Sequence, residues 1–512
     1  MQCFFGWFAK TLGGAGRPWL ILGKGPSFSK LTEFDVSEYR TLSLNHAVRE
    51  RKVDVAHIID YDVVEHCGES LLQNAGVLVM PWHPHMQNKP SYKTLEMLVA
   101  GNRILERLDA EGRLLWYNLS TAKSHRSDAP VVRVKYFSAE AALNLLATAG
   151  VRHMRSLGVD GGAAYSTAFD DLKEKTLLAN SRTSFDDQFR EIARTIQTTG
   201  IDYAPLDIES PIRVFVAVAE AQMLAVKVLE YSIKKHTSMS ATVFPMHLSD
   251  IEIPVPRDPK KQPRTPFSFQ RFLIPQLMNW QGRAIYLDSD MQVFKDMRAL
   301  WTLPFNGAQL LAAREPSETG RRPQFSVMLL DCSALDWRIE DIVSRLDDGS
   351  LSYEDLMYHM KVANGIQADI DPAWNSLERY KPGSTALVHY TDMNAQPWVS
   401  CRNKLGYLWV RDLFEAVDGG FISKSLIEDH VRCGWLRPSL LWQLKHRVED
   451  TTTLPREARL LDRDFVAPFQ SLPKHSATPW IDGKREMPGV PSQNDAEGWG
   501  KRLARSIRSR FS

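Results

Sequence analysis

The chain has 512 residues, 44% of them hydrophobic and 24% charged, too long for one ordinary core and too apolar for a disordered protein. A net charge of +2 excludes a bulk nucleic-acid binder. The five cysteines, Cys3, Cys67, Cys332, Cys401 and Cys433, follow no metal-ligand spacing, so they read as free thiols of a reducing compartment and no zinc site is expected.

The opening MQCFFGWFAKTLGGAGRP has an apolar patch of about five residues and no charged region before it, which makes a poor signal peptide. No segment reaches the roughly 20 apolar residues of a membrane span. The expectation is a cytoplasmic protein, with any membrane contact peripheral, at the inner membrane.

From there the first half alternates strand and helix signals. WLILGKGPS (19–27) reads as a strand and a glycine turn, and VDVAHIIDY (53–61) and AGVLVMP (75–81) as strands. The spacing in 92–108 predicts one helix, SAEAALNLLATAG (138–150) a capped helix ending on glycine, and MRSLGVDGG another strand. Strands separated by helices imply an α/β, doubly wound parallel sheet. The pattern fades after Tyr165, and IDYAPLDIESP (201–211) has the composition of a linker.

A second α/β domain starts at Ile212 with the β-branched run 214–218 and a helix carrying Met223, Val226, Leu229 and Ile233. It is expected to run to about Arg447. Prolines and polar residues dominate 449–500, so irregular structure is predicted there. The tail KRLARSIRSRFS carries five positive charges and no acid, with Leu503, Ile507 and Phe511 at helical spacing. Such a helix suits an anionic membrane surface, and a solvated charged terminus is the bland alternative. The domains expected are residues 17–200, 210–447 and an irregular extension, 448–512.

The stretch AIYLDSDM carries the strongest chemical signal. A short buried strand ends in Asp288-Ser289-Asp290, and two carboxylates at i and i+2 project to one side of a strand. Unpaired charges in a low dielectric cost several kcal/mol each. One divalent cation answers both, and hard carboxylate oxygens favour Mn²⁺ or Mg²⁺.

Four segments follow in order: FSFQRFLIPQLMNWQGRAIYLDSDM, FSVMLLDC (325–332), PAWNSLERY (372–380) and TALVHYTDMNAQPW (385–398). This order resembles glycosyltransferase family 8, the retaining enzymes related to glycogenin and the lipopolysaccharide galactosyltransferases, over roughly 212–398. The resemblance implies a GT-A domain with a UDP-sugar donor, in which Asp288 and Asp290 bind Mn²⁺, His389 is the third ligand, and Ser289 and Arg271 lie on the donor side. It implies Asp331, Trp374 and Asn375 on the acceptor side, with Asp371 nearby. The family's lysine on the diphosphate is Gln396 here, which removes a charge that Arg271 or Lys404 would have to replace. The implied activity is transfer of a sugar to a glycan or lipid-linked saccharide acceptor in bacterial surface polysaccharide or lipopolysaccharide synthesis. The rival is a non-catalytic glycan- or nucleotide-binding scaffold of degenerate transferase fold.

In the first half, ILGKGPS puts two glycines after a strand, where backbone amides meet phosphate in many folds. It is neither a Walker A loop nor a complete GxGxxG, which argues against a nicotinamide enzyme. With SLNHAV, HIIDYD and LGVDGG it resembles, more loosely, the family 42 sialyltransferases and the motility-associated flagellin-modifying domain. That resemblance implies a Rossmann-like, nucleotide-sugar-binding domain with Gly23, Gly25, Pro26, Ser27, Asn45 and Asp160 at the ligand. His46, His57, His83 and His85 are all candidates for a general base, and a bifunctional enzyme is the boldest version.

Overall fold

The computed structural model describes residues 1–12, 16–265, 267–313 and 325–471. The basic tail, 501–512, lies outside the described residues. Among them, no helix is long and apolar enough to cross a membrane. The chain forms two compact units, one of Met1–Pro211 with Lys234–Ser240, the other of Ile212–Ile233 with the chain from Ala241 onward.

The first unit is built on β1 (Gln2–Cys3), β2 (Trp19–Leu22), β3 (Arg40–Leu44), β4 (Val53–His57), β5 (Ala75–Pro81), β6 (Leu114–Leu119), β7 (Val131–Val132), β8 (His153–Leu157) and β9 (Asp202–Pro205). Their order is β1-β6-β5-β4-β3-β2-β8-β9, with β7 on β6, and every pairing is parallel. Strands such as Trp19-Leu20-Ile21-Leu22 are buried along their whole length, as a parallel sheet covered on both faces requires. Succession runs outward from β2 to β6, then returns to β8 on the other side of β2. This reversal opens a crevice at the carboxyl ends of the strands.

Two expectations change here, and the opening segment gains a structure. The predicted helix over 92–108 is two helices, Leu95–Val99 and Arg103–Ala110. Asn102 starts the second by accepting the amides of Ile104 and Leu105 at 3.0 and 3.2 Å, a cap that interrupts a continuous apolar spacing. The expected linker begins with β9, an edge strand whose Tyr203 is buried against β8, its hydroxyl 2.8 Å from Ser156 Oγ. The opening apolar patch folds as Phe4–Thr11, burying Phe4 and Phe8, with Phe8 stacked 5.9 Å from Trp19.

The second unit holds β10 (Ile212–Ala217), β11 (Ala241–Pro245), β12 (Arg283–Asp288), β13 (Met291–Val293), β14 (Leu310–Ala313), β15 (Val327–Asp331), β16 (Ile366–Ile370), β17 (Ser376–Leu377) and β18 (Leu387–His389). A mixed sheet has the order β11-β10-β12-β15-β14-β16, and a small one the order β13-β18-β17. Strand β12 lies parallel to β10 and antiparallel to β15. Where irregular structure was expected after 448, the described part packs as a turn at Thr451–Thr453 and a helix at Arg456–Leu460. Leu454 and Ala458 are fully buried, and Asp462 accepts the Ser439 amide at 2.7 Å. Two apolar side chains and one aspartate suffice to dock it, too few to show as periodicity.

Candidate active site

Strand β12 brings Asp288 to the end of the mixed sheet, and the chain continues through Ser289 and Asp290 directly into β13. Strand β13 pairs with β18 so that Met291 faces His389. The register is locked by the Tyr390 amide, which donates to the Asp290 carbonyl at 2.8 Å. The ligating atoms of Asp288, Asp290 and His389 therefore lie within 4.8 Å of one another. His389 Nε2 is 3.1 Å from Asp290 Oδ1 and 3.9 Å from Asp288 Oδ2.

Each member has a partner that aims it. His389 is buried, and its Nδ1 is 3.0 Å from Asn375 Oδ1. An amide oxygen only accepts, so Nδ1 carries the proton, which leaves the Nε2 lone pair for a cation held between it and the carboxylates. Asp290 Oδ2 accepts from Gln396 Nε2 at 2.8 Å, and that amide also donates to the Tyr390 carbonyl at 3.0 Å. Asp288 Oδ1 accepts from the Tyr286 hydroxyl at 2.6 Å, and Arg271 Nη2 lies 3.6 Å away. The Arg271 guanidinium stacks over the Tyr286 ring at 4.6 Å and donates to the Phe325 carbonyl at 3.2 Å. Burial raises the Tyr286 phenol well above its ordinary range, so it stays a hydrogen-bond donor.

Two carboxylates and an imidazole lone pair converging on one point fit Mn²⁺ or Mg²⁺ in donor type. Asp288 and Asp290 are both partly open to solvent.

The sequence expectations sort unevenly against this geometry. Arg271 and Gln396 stand at the carboxylates, and Ser289 is buried between them in the chain. Asn375 meets the imidazole, delivered by the turn Pro372–Asn375 that Asp371 caps by accepting the Ala373 amide at 2.7 Å. Trp374 in that turn is buried. Lys404 is exposed.

Asp331 has to be corrected. It pairs with Arg283 at the opposite end of β12 from Asp288, about 16 Å away along the strand. Because β15 runs antiparallel, its first residues and not its last lie beside the acids. Asp331 is occupied locally, accepting the Ser333 amide at 3.1 Å.

The glycine loop of the first unit is also not the open phosphate cradle expected. Gly23 N donates to the Leu157 carbonyl and Gly25 N to the Gly158 carbonyl, both at 2.8 Å. Ser27 N and Oγ donate to the two Asp160 oxygens at 2.7 and 2.8 Å. These groups clasp β2 to β8, and their donors are used within the protein. A Cβ on Gly23 would sit 2.1 Å from the Gly158 carbonyl oxygen, and one on Gly25 2.5 Å from Asp160 Oδ2.

The four histidines separate too. His57 is sealed in the core at 2.8 Å from the Tyr117 hydroxyl, and burial lowers it to about 3. His83 lies 3.1 Å from Ser124 Oγ. His46 and His85 line the cleft at the sheet's crevice. The roles of Tyr286 and Asn375 as aiming groups have no local sequence signal, since each depends on a partner placed by strand pairing.

Residues 216–331 match glycosyl transferase family 8. The family 8 region is a domain of glycosyltransferase type and takes in Arg271, Asp288 and Asp290. His389, Asn375 and Gln396 lie beyond it. Protein CDI of Arabidopsis thaliana is 33% identical over 97 residues, 19% of this chain and 38% of that protein. The chain thus spans about two fifths of the curated relative it matches. Among solved structures, the apo-form glycosyltransferase GlyE of Streptococcus pneumoniae TIGR4 is 17% identical with a TM-score of 0.30, over 40% of this chain and 60% of that one. The galactosyltransferase LgtC, in complex with donor and acceptor sugar analogs, is 13% identical with a TM-score of 0.29, over 42% and 97%. At TM-scores this low, the structural likeness assigns nothing to the present chain.

Proposed function

We propose that the second unit is a retaining glycosyltransferase that uses a UDP-sugar and a divalent cation, Mn²⁺ or Mg²⁺. Its acceptor is a glycan or lipid-linked saccharide of bacterial surface polysaccharide or lipopolysaccharide synthesis. The observation that carries this reading is the convergence of Asp288, Asp290 and His389 on one point, within a unit whose family 8 region supplies both acids.

When bound, the cation supplies Lewis-acid neutralisation of a diphosphate leaving group. Asn375 keeps the His389 proton on Nδ1, and Gln396 holds Asp290 in one rotamer. Arg271 offsets the excess negative charge of the pair near Asp288. Retention follows from the family, whose usual scheme has the acceptor attack on the face the nucleotide leaves.

The test is UDP release from a panel of UDP-sugars with Mn²⁺, comparing the protein with Asp290→Asn. Metal-dependent release lost in the variant supports the reading and names the donor. The scaffold alternative is favoured by one observation: Gln396 stands where the family has lysine, and its amide is engaged on Asp290. Binding of UDP-sugar without release of UDP at any acceptor or metal concentration selects the scaffold.

A further inference from the structure

The crevice at the carboxyl ends of β2, β3 and β8 holds a cleft of about 470 Å³, within the range of small-molecule sites. It is lined by the clasp loops, by Asn45 and His46 after β3, and by an aromatic wall of Tyr136, Phe137, Tyr165 and Phe185. None of these residues belongs to the second unit.

Charge in the cleft is unbalanced in a particular way. Asp160 is engaged by Ser27, Asp60 accepts the amides of Asp62 and Asn88, and Asp62 accepts that of Gln87. The acids facing the cleft thus have donors of their own. Lys24 is half-buried, and its ammonium meets a hydroxyl, Thr176 Oγ1 at 3.1 Å, and the Tyr165 ring at 4.2 Å. Among the described residues it forms no ion pair. Desolvation lowers it to about 8, against a smaller raising pull from Cys67 and Asp171.

One further observation points to a ligand. The His46 ring is fully buried, and its Nδ1 has no hydrogen-bond partner. Its Nε2 lies 3.4 Å from His66 Nδ1, and burial and the Lys24 charge hold the imidazole neutral down to about 3, so Nδ1 alone is left to meet a ligand.

We propose that this cleft is a second ligand site, for a small organic anion whose phosphate or carboxylate pairs with the Lys24 ammonium while its body lies against the Tyr136 and Phe185 side of the wall. The anion is met by side chains, because the glycine loop's own donors close the clasp between β2 and β8. The site is independent of the Asp288 centre and of the function proposed for it.

The test is isothermal titration calorimetry on the full chain carrying Asp290→Asn, which silences the other centre. The probes are the four ribonucleoside 5′-monophosphates, the matching nucleosides, and citrate as the carboxylate arm. The expected result is saturable binding of a monophosphate or of citrate, weakened at least tenfold by Lys24→Met and largely restored by Lys24→Arg. Lys24→Met removes a desolvated charge and is expected to fold with an undiminished Tm. As a second readout, binding at pH 8.5 should take up protons, measured from buffers of different ionisation heat, as the anion restores charge to Lys24. Around Lys24 stand Arg49, Asp171, Cys67, His46 and Tyr165, and Arg49 is already paired with Asp171 at 2.9 Å. Nucleosides binding as tightly as their monophosphates, an affinity unchanged in Lys24→Met, or no binding by any probe would each overturn the proposal.

Discussion

Asp160 and Asp288 stand at comparable places, each at or just beyond the carboxyl end of a buried strand, yet they meet opposite fates. Asp160 is engaged by Ser27 on the neighbouring loop and fastens two strands together. Asp288 instead shares its surroundings with a second acid and an imidazole, converging on a common point. Asp160 has a donor on each oxygen and is structural. Asp288 has the Tyr286 hydroxyl on Oδ1 alone, while its Oδ2 faces His389. Position in the fold does not separate the two; the partner set does.

The comparison breaks most sharply at Asp290. Asp290→Asn should lower metal-dependent UDP release by about 10²-fold or more, since it removes one charged ligand of the cation that offsets leaving-group charge. Release that survives intact would put the chemistry elsewhere.

On the clasp side, Gly23→Ala places a methyl against backbone, 2.1 Å from the Gly158 carbonyl oxygen. The expected cost is about 3 kcal/mol, read as a lower midpoint in urea unfolding. A neutral result would show that the two loops separate freely.

Asn375→Ala sharpens the metal side. Loss of the partner that aims a ligating imidazole typically costs about 10–100-fold in metal affinity, measurable by Mn²⁺ titration with electron paramagnetic resonance. Unchanged affinity would make the Asn375 contact incidental.

The smallest effect concerns His57. Folded, it takes up no proton until about 3, whereas the unfolded chain protonates it near the ordinary histidine value of 6.5. Its burial therefore costs stability as pH falls below 6.5, because the unfolded state binds the extra proton. His57→Phe removes that term, so between pH 6.5 and 5 the wild type should lose roughly 2 kcal/mol relative to the variant. Parallel curves from urea unfolding across that range would show that His57 protonates while folded.

The placing of Asp288 and Asp290 at a strand end is legible in sequence because a buried strand ending in Asp-x-Asp is a local pattern. The side of the sheet on which Asp331 falls is not local. It depends on whether β15 runs with or against β12, and both directions leave the same apolar run in the chain. The glycine loop shows the same limit: its donors look free until Asp160, more than a hundred residues later, is brought beside them. Strand β9 carries a terminal proline and polar flanks, so only pairing with β8 reveals it. Asn102 is different, because a capping asparagine before a helical run is readable, and the continuous apolar spacing around it hides the break.

The late arrival of His389 has a consequence for synthesis. About a hundred residues separate it from Asp290, and at about 5–20 residues per second the ribosome needs roughly 5–20 s to make them. For that interval a nascent chain carries the paired acids without the imidazole, its asparagine or Gln396. The three-residue cluster thus belongs to the completed unit, after the β13–β18 pairing closes.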